Sequence, residues 1–147
     1  MNVLFLMISF PDIRENSNLY SDLAEEFRKN GHNVYVATLL EKKHNQATYL
    51  EKVKELNILR VRAGDWFNTN SVIKKGLTTI TIANYFKKAI QKYFYNIKYD
   101  LVIYPTPPIT FAPVVKYIKK RDKCKSYLIL RDIFPQNVRD LGLLNNR

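Results

Sequence analysis

The chain has one cysteine, Cys124, in 147 residues. A lone thiol excludes an intrachain disulfide and a cysteine-rich metal site, fits a reducing, cytoplasmic compartment, and is expected to be a buried bystander. No His, Cys or acidic cluster has metal-ligand spacing, and His32 and His44 are not candidates for catalysis. No run of about 18 apolar residues is present, so no segment is expected to span a membrane. The apolar opening, Met1 to Phe10, lacks basic residues ahead of it and a small-residue cleavage site after it, and therefore reads as a first strand rather than a secretory signal. Repeats and low-complexity tracts are absent. Acidic residues are scarce, 13 against 24 lysines and arginines.

What is present suits a single domain, since domains run to roughly 100 to 200 residues and a 46% hydrophobic content supports a real core. The net charge of +11 and the pI of about 9.7 describe a surface that attracts phosphate on nucleic acid, anionic lipid or a nucleotide. Lysine, asparagine and isoleucine enrichment from genome base bias is an alternative source of the same charge, with no partner attached.

Taken in order, Asn2 to Ser9 is an unbroken apolar strand of the kind buried in a parallel sheet. After the loop Phe10 to Asn18, in which Asn16, Ser17 and Asn18 can each cap a helix, Leu19, Leu23, Ala24 and Phe27 recur on one helical face. Arg28, Lys29 and Gly31 supply the stop. Asn33 to Thr38 is the second strand, completing a βαβ unit. Glu41 to Leu56, polar and charged, reads as a surface helix or loop, and Ile58 to Val61 as a short strand. Trp66 and Phe67 interrupt a polar loop, where they cover the edge of the core or touch a ligand or lipid.

Ser71 to Ile97 has a long helical period, with Ala83, Phe86, Ile90, Phe94 and Ile97 on one side and Lys74, Tyr85, Lys88 and Lys92 on the other. The basic side is either solvated or a docking face for an anionic membrane. Leu101 to Tyr104 is a further strand, and prolines open the helix Ile109 to Lys120. The continuous apolar run Tyr127 to Leu130 then predicts a parallel strand covered on both faces, with Arg131 and Asp132 at its carboxyl end. Ligands of open α/β sheets bind beyond those ends, which makes Asp132 a candidate for chemistry and aligns the Thr106 and Thr110 hydroxyls with it. A short helix, Gln136 to Leu141, follows Pro135.

The fold class expected is α/β, a three-layer Rossmann-like parallel sheet with helices on both faces. Ser9-Phe-Pro-Asp-Ile13, Ser17-Asn-Leu-Tyr-Ser-Asp-Leu-Ala-Glu-Glu26, Gly31-His-Asn-Val34, Tyr99-Asp-Leu-Val-Ile103, Thr106-Pro-Pro108 and Arg131-Asp-Ile-Phe-Pro135 occur in that order. Together they resemble the amino-terminal half of a GT-B glycosyltransferase of family 4, over nearly the whole chain. The resemblance implies an acceptor-side domain that moves a sugar from a nucleotide-sugar to a saccharide or lipid-linked acceptor, in cell-surface polysaccharide synthesis, at the cytoplasmic face of the membrane. The nucleotide-sugar would be a co-substrate, with no resident cofactor or metal. The donor-binding half with its paired glutamates is not in this sequence, so the expectation is the first half of a longer enzyme, an excised domain, or one subunit partnered by a separate donor chain.

By resemblance, Asp132 accepts a proton or hydrogen bond from the acceptor hydroxyl, and its competing role is to cap the next helix. Arg131, Arg14, Asn16, Thr106 and Thr110 are the substrate-binding candidates. The chain departs from the family at two places. Arg14, Glu15 and Asn16 stand where a glycine pair usually lets backbone amides approach a phosphate, leaving Arg14 to supply charge, and Gln136 replaces a frequent glutamate. Two other classes stand beside this reading: a basic membrane-surface subunit that recruits a catalytic chain, and a nucleic-acid module. No recognisable recognition helix or stacking platform favours the latter.

Overall fold

In a computed structural model of the chain, residues 1–40, 46–63, 72–106 and 109–131 are described, with the backbone alone at 72–80 and 109. The elements are β1 (Asn2–Met7), α1 (Leu19–Lys29), β2 (Asn33–Leu39), β3 (Tyr49–Val53), β4 (Leu56–Val61), α2 (Val72–Tyr93), β5 (Leu101–Thr106), α3 (Ala112–Asp122) and β6 (Lys125–Leu130). A 3-10 turn, Ile109–Phe111, leads into α3. The six strands form one sheet in the order β3-β4-β2-β1-β5-β6. All neighbours pair in parallel except β3, which runs antiparallel to β4. The expected α/β class with a largely parallel, Rossmann-like sheet is therefore observed.

β1 explains the layering. Val3 to Met7 are all wholly buried, and strand alternation sends Leu4 and Leu6 into one core and Val3, Phe5 and Met7 into the other. The first core is closed by α2 and α3 through Phe86, Ile90, Phe94, Val114 and Ile118. The second is closed by α1 through Tyr20 and Ala24, with the Phe27 ring edge-on to Phe5 at 5.8 Å. Helices on both faces are what a strand with no polar side requires.

The ends of α1 follow from local chemistry. Of the three capping candidates it is Asn18 that caps, its side chain accepting the Tyr20 and Ser21 amides at 2.9 Å while Ser21 Oγ accepts the Asn18 amide at 2.7 Å. Gly31, at φ +79°, turns the chain out of the helix, and the His32 amide reaches back to the Phe27 carbonyl. Ala24 is buried and Leu23 and Phe27 pack against the same core as the period indicated, but Leu19 is 67% exposed, and Tyr20 and Ser21 are buried in its place. α2 ends at Tyr93, four residues before the predicted Ile97, with Ala83, Phe86, Ile90 and Phe94 buried as the period indicated.

Two expectations are corrected. The segment read as surface helix or loop contains β3, joined to β4 by a two-residue turn in which Lys54 and Glu55 both hold positive φ, at 47° and 64°. Hairpin turns of that kind favour Asn-Gly or Asp-Gly, so Lys-Glu conceals the turn. The run at Tyr127 to Leu130 is not covered on both faces: β6 lies at the margin of the described sheet, with Tyr127 61%, Leu128 45% and Leu130 60% exposed. The loop with Trp66 and Phe67, the His44 region, the side chain of Lys74 and the Gln136 to Leu141 helix lie outside the described residues.

Phe86 bridges α2 to the 3-10 turn through Phe111, ring to ring at 5.1 Å, and neither is exposed. Phe86→Ala is expected to lower unfolding free energy by about 3–5 kcal/mol. Leu19→Ala should change it by less than about 0.5 kcal/mol. Urea denaturation of the two variants checks both values, and equal losses would contradict the observed helix face.

Candidate functional site

Because β1, β2, β4, β5 and β6 are parallel, their carboxyl ends share one rim, where the β1–α1 loop and the start of α1 also lie. The chain builds outward from β1 to β2, β4 and β3, then returns to add β5 and β6 on the other side. The switch point of the topology is therefore between β1 and β5, the place where open α/β sheets bind ligands.

On the β2 side of that point lies a cavity of about 430 Å³ lined by Pro11, Asp12, Arg14, Glu15, Asn16, Leu40, Gln46, Tyr49, Glu51 and Arg60. The wall is held in place by Arg60. Its period-two position on β4 directs it to the α1 side, where Nη1 donates to the Phe10 carbonyl at 2.6 Å and Nη2 to the Pro11 carbonyl at 3.1 Å. Nε donates to Glu51 Oε1 at 3.0 Å. One guanidinium thus ties the β1–α1 loop to the antiparallel strand β3. A planar fork spreads its donors over three nitrogens in fixed directions and so reaches three separated acceptors, whereas a lysine ammonium concentrates its donors on one atom.

Arg14 is more exposed and differently used. Nε and Nη2 donate to the two Asp12 carboxylate oxygens at 2.8 and 2.6 Å, and Nη2 stands 3.4 Å from Glu51 Oε2. The side-chain and backbone hydrogen bonds from Arg14 hold the Asp12 carboxyl down to about 2. With three carboxylates facing two guanidiniums, the cavity does not attract phosphate. It offers carboxylate, amide and phenol groups suited to hydroxyls.

The sequence candidates fall into separate places. Arg14 and Asn16 line the cavity. Thr106, the last residue of β5, is half-buried, and its carbonyl accepts the Arg131 amide at 3.3 Å. Arg131 extends toward α1, with Nη1 3.5 Å from the Tyr20 hydroxyl and the guanidinium 5.9 Å from the ring centroid. These two belong to the β5–β6 side of the rim. Thr110, in the 3-10 turn, is 1% exposed, and its buried hydroxyl has no hydrogen-bond partner among the described residues. Asp132 lies outside the described residues. Cys124 is buried, and desolvation raises its thiol above the ordinary value.

Sequence reasoning missed Arg60, Glu51, Tyr49 and Gln46. Arg60 left a signal, a lone charge inside the apolar run Ile58-Leu-Arg-Val61. The others did not, because the hairpin that carries Tyr49 and Glu51 to the rim was itself concealed.

Topology and rim together define an α/β domain of Rossmann-like type with a polar cavity at its carboxyl rim. No protein-family model matches the chain, and no curated protein matches it. Among the described residues no helix is long and apolar enough to cross a membrane, and no group of three His, Cys, Asp or Glu is arranged to hold a metal ion.

Arg60→Ala should cost about 3 kcal/mol, because it removes a buried cation that serves a partly buried carboxylate and two carbonyls. Arg14→Ala, at an exposed pair, should leave the melting transition nearly unchanged. Thermal melts of both variants make the comparison. The Asp12 carboxyl, lowered in the folded state from 3.8 to about 2, adds a stability that solvent screening of this exposed pair keeps small, in place above pH 4 and fading as pH falls toward 2. A carboxyl-carbon NMR titration should give a midpoint near 2, moving back toward 3.8 in Arg14→Ala.

Proposed function

We propose that the chain is the acceptor-side domain of a sugar-transferring enzyme, holding a saccharide at its carboxyl rim while a nucleotide-sugar is presented by a separate donor-binding half. The observation that carries this reading is the make-up of the rim cavity. Saccharide hydroxyls both donate and accept, and Asp12, Glu15, Asn16, Gln46, Tyr49 and Glu51 complement them in both senses. A donor diphosphate would meet the carboxylates of Asp12, Glu15 and Glu51 there, two of them already engaged with Arg14, and like charges held close repel. The cavity thus favours acceptor over donor, in keeping with the family resemblance of the rim motifs.

In this proposal an acceptor hydroxyl attacks the anomeric carbon, the bond from that carbon to the nucleotide oxygen breaks, and the nucleotide leaves with the bonding electrons. The hydroxyl proton passes to a carboxylate. Asp132, next in the chain to Arg131 at the end of β6, is the proposed base, and Arg131 and Thr106 are proposed to orient the acceptor from the β5–β6 side. General-base removal typically costs 10²–10⁴-fold in rate.

Titration of the isotope-labelled chain with neutral mono- and disaccharides should shift the amides of residues 12–16 and 46–51 in a saturable way, and Tyr49→Ala should weaken that binding at least about fivefold. Absence of any response at millimolar saccharide would remove the acceptor reading. With a donor-binding half added, Asp132→Asn should lower transfer on the order of a hundredfold or more. Undiminished transfer would remove Asp132 from the mechanism while leaving the acceptor site standing.

A further inference from the structure

The positive charge is not spread over the molecule. Residues 72–131 hold thirteen lysines and arginines against two acids, Asp100 and Asp122, and so account for the whole of the +11; the rest of the chain carries eleven of each sign. Base-composition bias alone would distribute the excess evenly. Both acids in this segment are committed. Asp122 accepts from the Tyr99 amide at 3.0 Å and from Arg121 at 2.6 and 2.7 Å, and Asp100 accepts the Asn2 amide at 2.7 Å. The layer made by α2 and α3 is therefore cationic with no opposing carboxylate on its surface among the described residues. The α1 layer on the other side of the sheet carries Asp22, Glu25 and Glu26 beside Arg28 and Lys29.

Within the basic layer the cations converge. A groove of about 580 Å³ between α2 and α3 is lined by Lys87, Pro113, Lys116, Tyr117, Lys120 and Arg121. Tyr117 lies in it, with Lys87 Nζ 4.8 Å above the ring and Gln91 Nε2 donating to the hydroxyl at 3.1 Å. A second hollow of about 360 Å³ shares Lys116 and adds Tyr104, Lys119 and Ser126. Lys116, Lys119 and Lys120 thus make one strip along α3. The dipole of α3 explains basic residues in its last turn, Lys119, Lys120 and Arg121, but not Lys87, Lys88 and Lys92 on α2 or Lys116 in mid-helix.

An apolar border completes the surface. Leu128 and Leu130 pair with Tyr104 and Thr106, and strand alternation puts them on the same face of the sheet as α3, where they are 45% and 60% exposed. Tyr85 and Tyr95 are exposed on and just after α2. Nucleic acid would use the lysines but has no use for a leucine edge. A bilayer uses both, since cations reach headgroup phosphates while leucine and tyrosine enter the boundary below them.

We propose that the α2–α3 layer with the β6 edge is a docking surface for an anionic lipid bilayer, centred on Lys116, Lys119 and Lys120. The assignment is independent of the acceptor reading, which concerns the carboxyl rim. It differs from the helix face Lys74, Lys88 and Lys92 in placing the main contact on α3 and β6.

The test is co-sedimentation of the full chain with vesicles of about 30% phosphatidylserine in phosphatidylcholine, and with phosphatidylcholine alone. Binding is expected only to the anionic vesicles. The triple variant Lys116→Gln, Lys119→Gln, Lys120→Gln should weaken it on the order of a hundredfold, at about fivefold per lysine. The control Lys29→Gln, Lys52→Gln, Lys54→Gln makes the same change in net charge and should stay within about twofold of the parent. Leu128→Ser with Leu130→Ser, both exposed, should weaken binding at least about tenfold. Equal losses in the triple variant and the control, or unchanged binding in the leucine variant, would overturn the proposal. So would preferential capture of duplex DNA over vesicles at equal phosphate concentration.

Discussion

The structure depends on β1 having no polar side. Its residues from Val3 to Met7 are wholly buried, alternately in two cores, and each core must be closed by helix. α1 closes one and α2 with α3 the other. Once helices occupy both faces, the strands on either side of β1 must be reached by crossovers and so run parallel. That brings loop ends from β1, β2 and β4 on one side, and from β5 and β6 on the other, to a single rim. The rim cavity is a consequence of the burial of one strand.

A rim gathered in this way still needs its loops fixed, and here a single buried cation does so. Arg60 leaves its strand on the α1 side, reaches two carbonyls of the β1–α1 loop, and holds Glu51 of β3 with its third donor group. Glu51 in turn approaches Arg14, which is bound to Asp12. Four charges in contact, two of each sign, leave the cavity polar without a strong field, a setting for neutral hydroxyl-bearing ligands. The excess cations lie elsewhere, on the α2–α3 layer, so the molecule separates a rim of balanced charge from a cationic face.

Much of this was legible in the sequence. Unbroken apolar strands indicated a parallel sheet, and the period of Ala83, Phe86, Ile90 and Phe94 located the buried side of α2. The stop at Gly31 was readable because glycine takes the left-handed conformation after a helix at the least cost. The hairpin was not readable, since its turn uses Lys54 and Glu55 at positive φ, and a chain without Asn-Gly or Asp-Gly gives no warning of it. Without the hairpin, Tyr49, Glu51 and Gln46 could not be assigned to the rim. The apolar run in β6 misled in the opposite sense: apolar composition states that a strand tolerates burial, not that neighbours cover it.

From local chemistry alone, the chain determined most of its strands and helices, where α1 stops, and the buried side of α2, because each depends on contacts within a few residues. Tertiary structure decided which cations face carboxylates and which face solvent. It seats Arg60 between a loop some 50 residues earlier and a neighbouring strand, and leaves Lys116, Lys119 and Lys120 without an acid beside them among the described residues. A charge acts through distance in space, and distance in space is what a sequence does not contain.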